Sequence, residues 1–325
     1  MINNPITVTI VGLGNIGSGF DHNNAQKNLT HASAVMNHAK FKLIGGVDIN
    51  HSNRINFEKK YKVPSFTNLN DLTKIEMPDM VVIAVPTIKH IDIIRESLEY
   101  SEVKIILCEK PVTLNLELLT DILESNTILK DKILVNYNLR TNESIRDIRR
   151  KILNNDFGDF LGGVGKYSGG YFNNGSHMLD LIEFLLNDKM TFAARINLKN
   201  SKDDFFTTLG LTIKNEIFYF ISINNKNTFF FEICLLFENS QIRINQGGLK
   251  IFIDPINEDL DFPMFKSIDY QESSSNISQG NSFINVYDDI FNYMRVRETN
   301  LPSINESAQL IYRMKSFIEN GLAQC

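Results

Sequence analysis

The sequence predicts an α/β protein in two parts, a doubly wound parallel sheet followed by an α+β part with a large, mostly antiparallel, open-faced sheet. Three observations predict it. Short apolar runs alternate with helical patterns over residues 1–140, which is how strand–helix–strand units read. Beyond about residue 155 strand-like runs follow one another without helices between them, as in an antiparallel sheet. The length, 325 residues, suits two domains at roughly 150 residues each.

The first-part strands are expected at Ile6–Val11, Lys42–Asp48, Met80–Val85, Lys104–Cys108 and Ile133–Tyr137. Each is rich in Val, Ile or Leu on both faces, the pattern of a parallel sheet covered on both sides. Helices are expected at Ile88–Tyr100, with Ile91, Ile94 and Leu98 on one stripe, and at Leu114–Ser125, with Leu118, Ile122 and Leu123. The second part, residues 141–325, opens on a Gly-rich stretch, Phe157–Tyr171, and a helix through Ser176–Leu186. Strands are expected at Thr191–Leu198, Phe205–Ile213, Glu216–Ile223, Phe229–Phe237, Gln241–Asn245 and Leu249–Ile253. The consecutive aromatics Phe229–Phe231 suggest a strand covered on both faces, one cover being the core and the other a second subunit. Glu272–Gly280 reads as a mobile surface loop. Two closing helices carry apolar faces at Phe283, Tyr287, Ile290, Phe291 and Met294, and at Ile304, Ala308, Ile311, Met314 and Ile318, and Ser303 with Glu306 forms a capping box. The last helix, about 303–321, is expected to return toward the first part.

Composition excludes several classes. With 33 basic and 38 acidic residues the net charge is −5, so no basic footprint for nucleic acid or an anionic membrane is present. No apolar run approaches the ~20 residues that span a bilayer, and the N-terminus reads as a first strand rather than a signal peptide. Cys108, Cys234 and Cys325 form no CxxC, and the His residues at 22, 31, 38, 51, 90 and 177 form no metal-ligand cluster. Reduced thiols, a cytoplasmic setting and no metal are the expectation.

Three segments carry chemistry. In Gly12-Leu-Gly14-Asn15-Ile16-Gly17, Gly12 permits a tight turn, Gly14 lets the backbone approach a pyrophosphate and Gly17 lets helix and strand pack closely. Asp48, at the end of the next strand, would accept hydrogen bonds from ribose hydroxyls and repel a 2′-phosphate, favouring NAD over NADP. Asp48 lies 31 residues after Gly17 where about 20 is usual, and the polar segment Asp21–Thr30 reads as the insertion responsible. The second is Glu109-Lys110-Pro111, at a strand end where open α/β sheets bind ligands. A surface Lys before a Pro fits that spacing equally well. Downstream, Asn173-Asn-Gly-Ser-His177-Met-Leu-Asp180 opens a helix. His177 there is a plausible acid/base, though a lone helix-start His is more often a cap or core residue.

In order and spacing, GLGNIG, GVD at Asp48, Ala84-Val-Pro86-Thr-Ile-Lys-His90, Glu109-Lys110-Pro111, Asn136-Tyr-Asn138-Leu-Arg140 and Gly175-Ser-His177-Met-Leu-Asp180 resemble the glucose–fructose oxidoreductase / inositol dehydrogenase family over nearly the whole chain. The resemblance implies a Rossmann NAD-binding domain, a substrate and oligomerisation domain, and a homodimer or homotetramer through the open sheet face. It implies hydride transfer at a carbinol carbon of a sugar, polyol or nucleotide-sugar derivative, with Lys110 on the reacting hydroxyl and His177 as acid/base. The glycine loop with Asn15 and Ile16, Asp48, the 84–87 loop with Ala84 and Pro86, His90, Glu109 and Asn138 would belong to the cofactor site. One departure stands out: Asn173 occupies the position of the family's usual Asp, and an amide cannot take a proton. Asn173 is expected to position substrate. Tyr167, Tyr171, Asn174 and Arg140 are further polar candidates, Arg140 either for an anionic group or as a structural pair. The alternatives are a non-catalytic dinucleotide-binding regulator and a different reductive reaction on the same scaffold.

Overall fold

The computed structural model describes residues 4–21, 28–125, 131–200, 205–224, 228–272, 275–276 and 279–320. Most of the Asp21–Thr30 insertion, His22, Cys325 and parts of the 272–280 segment lie outside them. The chain forms two compact units, Met1–Thr141 with Gln279–Gln309 and Asn142–Ser278 with Leu310–Cys325.

In the first unit, β1 (Ile6–Val11), β2 (Phe41–Val47), β3 (Ser65–Phe66), β4 (Met80–Ile83), β5 (Ile105–Cys108) and β6 (Ile133–Val135) form a parallel sheet in the order β3-β2-β1-β4-β5-β6. Every residue of β4, β5 and β6 is buried, so both faces are covered, as the apolar runs require. The helices are α1 (His31–Met36), α2 (His51–Tyr61), α3 (Leu69–Thr73), α4 (His90–Leu98) and α5 (Leu116–Ser125). The polar α2 has no apolar stripe to reveal it and buries only Phe57 and Tyr61. Its ends define it instead: the Asn50 side chain accepts from the Ser52 and Asn53 amides, and Lys62 closes it in the left-handed region.

The second unit begins with α6 (Glu143–Leu153), β7 (Phe160–Tyr167) and α7 (Ser176–Leu186). Then come β8 (Thr191–Asn200), β9 (Phe205–Ile213), β10 (Glu216–Ser222), β11 (Phe231–Phe237), β12 (Ser240–Asn245), β13 (Lys250–Glu258), β14 (Lys266–Ile268) and β15 (Ser275–Asn276). Among the described residues the sheet order is β14-β13-β12-β11-β7-β10-β9-β8, with β15 on β13. In this sheet, among the described residues, only β7 and β10 pair in parallel. The Gly-rich stretch Phe157–Tyr171, not among the expected strands, thus holds β7, one of the two middle strands of this order. The strand expected from Phe229 begins at Phe231, which is buried, whereas Phe229 is exposed. Within the expected loop 272–280, residues 275–276 pair with Lys250 and Ile251, and the next helix opens at Gln279.

The final helices are α8 (Gln279–Val296) and α9 (Ile304–Asn320). Residues Gln279–Gln309, assigned by sequence to the second part, belong to the first unit. The reason is packing. Phe283, Val286, Tyr287 and Ile290 enter the same core as Val8, Ile10, Val35 and Phe41. The Val135 amide also donates to the Pro302 carbonyl. The unit boundary falls within α9, between Gln309 and Leu310, and the Ser303/Glu306 capping box is present.

Candidate cofactor cleft and active-site residues

The candidate site grows from the C-terminal ends of β1, β2, β4 and β5, which a parallel sheet places along one edge. Gly12 turns at φ +98°, and a Cβ there would lie 2.5 Å from the Ala84 backbone, so the turn and the loop after β4 touch. Gly17 is equally constrained: a Cβ would meet the Gly12 carbonyl oxygen at 2.0 Å. Gly14 differs, with nothing within 4 Å of the position its Cβ would take. The expected α-helix after this loop is instead a single π-helical turn, Asn15–Gly19, with the Ser18 and Gly19 amides both on the Gly14 carbonyl. Helix α1 starts later, at the Thr30 cap, where Thr30 and Ser33 donate to the buried Asp21 carboxylate.

Asp48 is held in place by three donors. Its Oδ2 accepts from the Leu13 amide at 2.8 Å and from Asn53 Nδ2 at 3.0 Å, and its Oδ1 accepts from the Asn50 amide at 2.7 Å. The carboxylate thereby ties the glycine turn to the end of β2. A cleft of about 570 Å³ opens here, lined among others by Gly12, Gly14, Asp48, Asn53, Ala84 and Pro86. A nicotinamide dinucleotide fits this construction: Gly14 leaves room for a close ligand, and Asp48 keeps acceptor lone pairs for ribose hydroxyls.

The other proposed cofactor residues lie elsewhere in the first unit. Asn15 is exposed and Ile16 packs on the core. His90 is 1% exposed; its Nε2 faces the Val85 carbonyl, and its Nδ1 faces those of Pro111 and Val112. It joins the loop after β4 to the loop after β5 and does not line the cleft. Asn138 begins the 3₁₀ turn Asn138–Thr141, where its carbonyl accepts from Thr141. Arg140 is buried and pairs with Glu306 at 3.7 Å, the structural alternative.

Glu109 also points into the unit. Its Oε1 accepts from His31 Nε2 at 3.0 Å and from Asn136 Nδ2 at 2.7 Å, and its Oε2 from the Lys110 amide at 3.3 Å. Burial pushes the Glu109 carboxyl up, but the His31 bond and charge, the Asn136 bond and the nearby Lys110 ammonium outweigh it and bring the pKa down to about 2. Lys110 lies two residues past the end of β5, before a cis Lys110–Pro111 peptide. Burial lowers the pKa of its amine, and the Glu109 carboxylate offsets part of that. His31 and Asn136, the donors that hold Glu109, were not singled out as site residues. His31 sits in the apolar helix HASAVM, where a core residue is the ordinary expectation.

Asn173, Asn174 and His177 belong to the second unit. Asn173 lies in the π-helical segment Gly170–Gly175, exposed, with Nδ2 donating to the Gly169 carbonyl at 3.2 Å. Asn174 Nδ2 donates to the Ser168 carbonyl. His177 stands in the first turn of α7, partly buried, edge-on to Phe231. Tyr167 and Tyr171 are fully buried, and the Tyr171 hydroxyl donates to the Met314 carbonyl, so both are core residues rather than substrate contacts. No cluster of metal-ligating side chains occurs among the described residues.

Residues 6–137 match a family described as an oxidoreductase family with an NAD-binding Rossmann fold. The chain is 24% identical over 220 residues to a glucose-6-phosphate 3-dehydrogenase of Bacillus subtilis (strain 168); the match covers 58% of this chain and 62% of that protein, less than two thirds of its length. Among solved structures, a myo-inositol dehydrogenase from Corynebacterium glutamicum has a TM-score of 0.74 at 15% identity, covering 98% of this chain and 97% of that one. The WlbA dehydrogenase from Bordetella pertussis, solved with NADH and UDP-GlcNAcA, has a TM-score of 0.75 at 15% identity, with 100% and 98% covered. These structures share the fold of both units. The unit that carries the glycine turn and Asp48 thus matches, over residues 6–137, this family of NAD-binding oxidoreductases.

Proposed function

We propose that this protein is an NAD-dependent oxidoreductase acting at a hydroxyl or carbonyl carbon of a sugar, polyol or nucleotide-sugar derivative. The observation that carries the reading is the Gly12–Gly17 turn locked onto Asp48 beside an open cleft, with Lys110 at the end of a strand in the same sheet. The relative named for glucose 6-phosphate and the neighbour solved with a nucleotide sugar support a sugar-like substrate. Asp48 favours NAD, since a 2′-phosphate would meet its charge.

When bound, the nicotinamide supplies the hydride acceptor or donor. Lys110 hydrogen-bonds the reacting oxygen and stabilises the negative charge that builds on it. In the oxidising direction neutral His177 takes the hydroxyl proton, and in the reducing direction it returns it. Asn173 orients a substrate hydroxyl by hydrogen bonding but holds no proton. Cytoplasmic residence is part of the same proposal, consistent with free thiols at Cys108 and Cys234. No helix among the described residues is long and apolar enough to cross a membrane. A homodimer or homotetramer is proposed through the outer sheet face, where Ile217 and Tyr219 are exposed and Val164, Cys234 and Leu236 are partly so.

The test is turnover with NAD and a panel of sugars, sugar phosphates and nucleotide sugars, with Lys110→Ala alongside. The expected result is a kcat lowered about 10²–10⁴-fold with NADH binding retained. Near-normal turnover by Lys110→Ala would remove Lys110 from the chemistry. NADH binding without turnover by the native protein would favour the regulator, for which Asn173 is the supporting residue.

A further inference from the structure

The polar groups next to Lys110 in sequence form a chain that ends on Tyr287 of α8, in the same unit. His31 is completely buried and uses both ring nitrogens: Nε2 meets Glu109 Oε1 at 3.0 Å and Nδ1 meets the Tyr287 hydroxyl at 3.0 Å. The ring is wedged edge-on between Phe283 and Tyr287, with centroids 5.0 and 6.1 Å away, so its orientation is fixed. An apolar residue would fill this core position without desolvating a ring. The partner of that ring is the carboxylate next to Lys110.

We propose that His31 is a positioning residue for Lys110: anchored on Tyr287, it donates to Glu109 and so keeps a carboxylate charge beside the Lys110 amine. The proposal deepens the functional reading in which Lys110 faces the reacting oxygen, and it concerns how that amine holds its proton.

The groups facing Glu109 decide the sign. His31 comes from α1, His90 from α4, Cys108 from β5, Asn136 from the end of β6 and Tyr287 from α8, with Lys110 adjacent. Burial and the Glu109 charge both push the Cys108 and Tyr287 protons on more tightly, so these two remain neutral. Burial lowers the His90 pKa. The positive or donating partners of the carboxylate are then His31, Asn136 and Lys110. Without His31, burial pushes the carboxyl up, the charge beside Lys110 weakens, and the amine gives up its proton at lower pH.

The experiment follows the pH titration of Lys110 directly, by NMR of ¹³C-lysine-labelled protein, with the signal assigned by its loss in Lys110→Arg. Glu109→Gln is expected to lower the midpoint by about one pH unit or more. His31→Leu should lower it in the same direction. His31→Gln, which keeps a donor toward Glu109, should hold it near the native value. Tyr287→Phe, which removes only a hydroxyl, should give a smaller fall and serves as the test if His31→Leu does not fold. An unmoved Lys110 midpoint in both His31→Leu and Tyr287→Phe, with Glu109→Gln shifted, would reduce His31 to a core residue and overturn the proposal. The titration needs no turnover. A shifted midpoint in a protein whose Lys110→Ala variant still turns over normally would sink the proposed role of Lys110 while leaving the His31–Glu109 coupling standing.

Discussion

The two units use glycine for opposite purposes. In the first, Gly14 leaves space that the protein does not fill, and the space opens on the cleft. In the second, the glycines of β7 make room for the protein itself: a Cβ on Gly163 would lie 2.7 Å from the Cys234 carbonyl oxygen and 2.9 Å from the Phe218 ring, and one on Gly165 would lie 2.4 Å from the Met178 sulfur. The difference teaches what a glycine cluster in a sequence can mean. Between a strand and a turn it admits a ligand; inside a strand it admits a neighbouring strand and a helix.

The largest expected effect comes from a glycine that serves packing within the ligand loop. Gly17→Ala would drive a methyl carbon to 2.0 Å from a backbone oxygen that cannot step aside, so a loss of about 3 kcal/mol or more is expected. Thermal and denaturant unfolding would show it, and native stability in this variant would mean that the turn is looser than its geometry states. Gly163→Ala should come next, at about 2 kcal/mol. Its contacts are a backbone carbonyl and an aromatic ring that is itself fully buried. If Gly163→Ala proved neutral, β7 would not be the tightly packed strand on which the comparison rests.

The same contrast explains what was legible in the sequence. The strands β1, β2, β4, β5 and β6 were readable because they are largely apolar and buried on both faces, and the Gly12–Gly17 spacing records backbone geometry locally; the two-residue β3, Ser65–Phe66, carries no such pattern and was missed. Gly12, Gly14 and Asp48, read from the local pattern, line one cleft together with Ala84 and Pro86, which only the family resemblance implied. β7 was missed because its three glycines, Gly162, Gly163 and Gly165, lower strand propensity and carry no alternating pattern. Helix α2 was missed because its caps, not its hydrophobic face, define it. The attachment of α8, Gln279–Val296, to the first unit was not legible either, although the last helix was expected to return there. The apolar stripe Phe283, Tyr287, Ile290 announces a helix with something to bury, but not which core receives it. His31 was hidden for a related reason: its partners Glu109 and Tyr287 lie 78 and 256 residues away, and nothing local marks such a meeting.

The smallest effect on stability, and the sharpest test of the comparison, belongs to Gly14→Ala. Gly14 has φ −69°, an ordinary value for any residue, so alanine needs no backbone strain. No protein atom lies within 4 Å of the new methyl, and stability should stay within about 0.5 kcal/mol of the native value. The methyl would instead occupy the space through which a pyrophosphate approaches the backbone. NADH affinity, measured by calorimetry or by quenching of bound-cofactor fluorescence, should fall about tenfold or more, equivalent to about 1.4 kcal/mol. Two glycines three residues apart would then separate cleanly, Gly17→Ala losing the fold and Gly14→Ala losing the ligand. If Gly14→Ala instead bound NADH as the native protein does, the dinucleotide would not pass over this turn, and the cleft beside Asp48 would need another occupant.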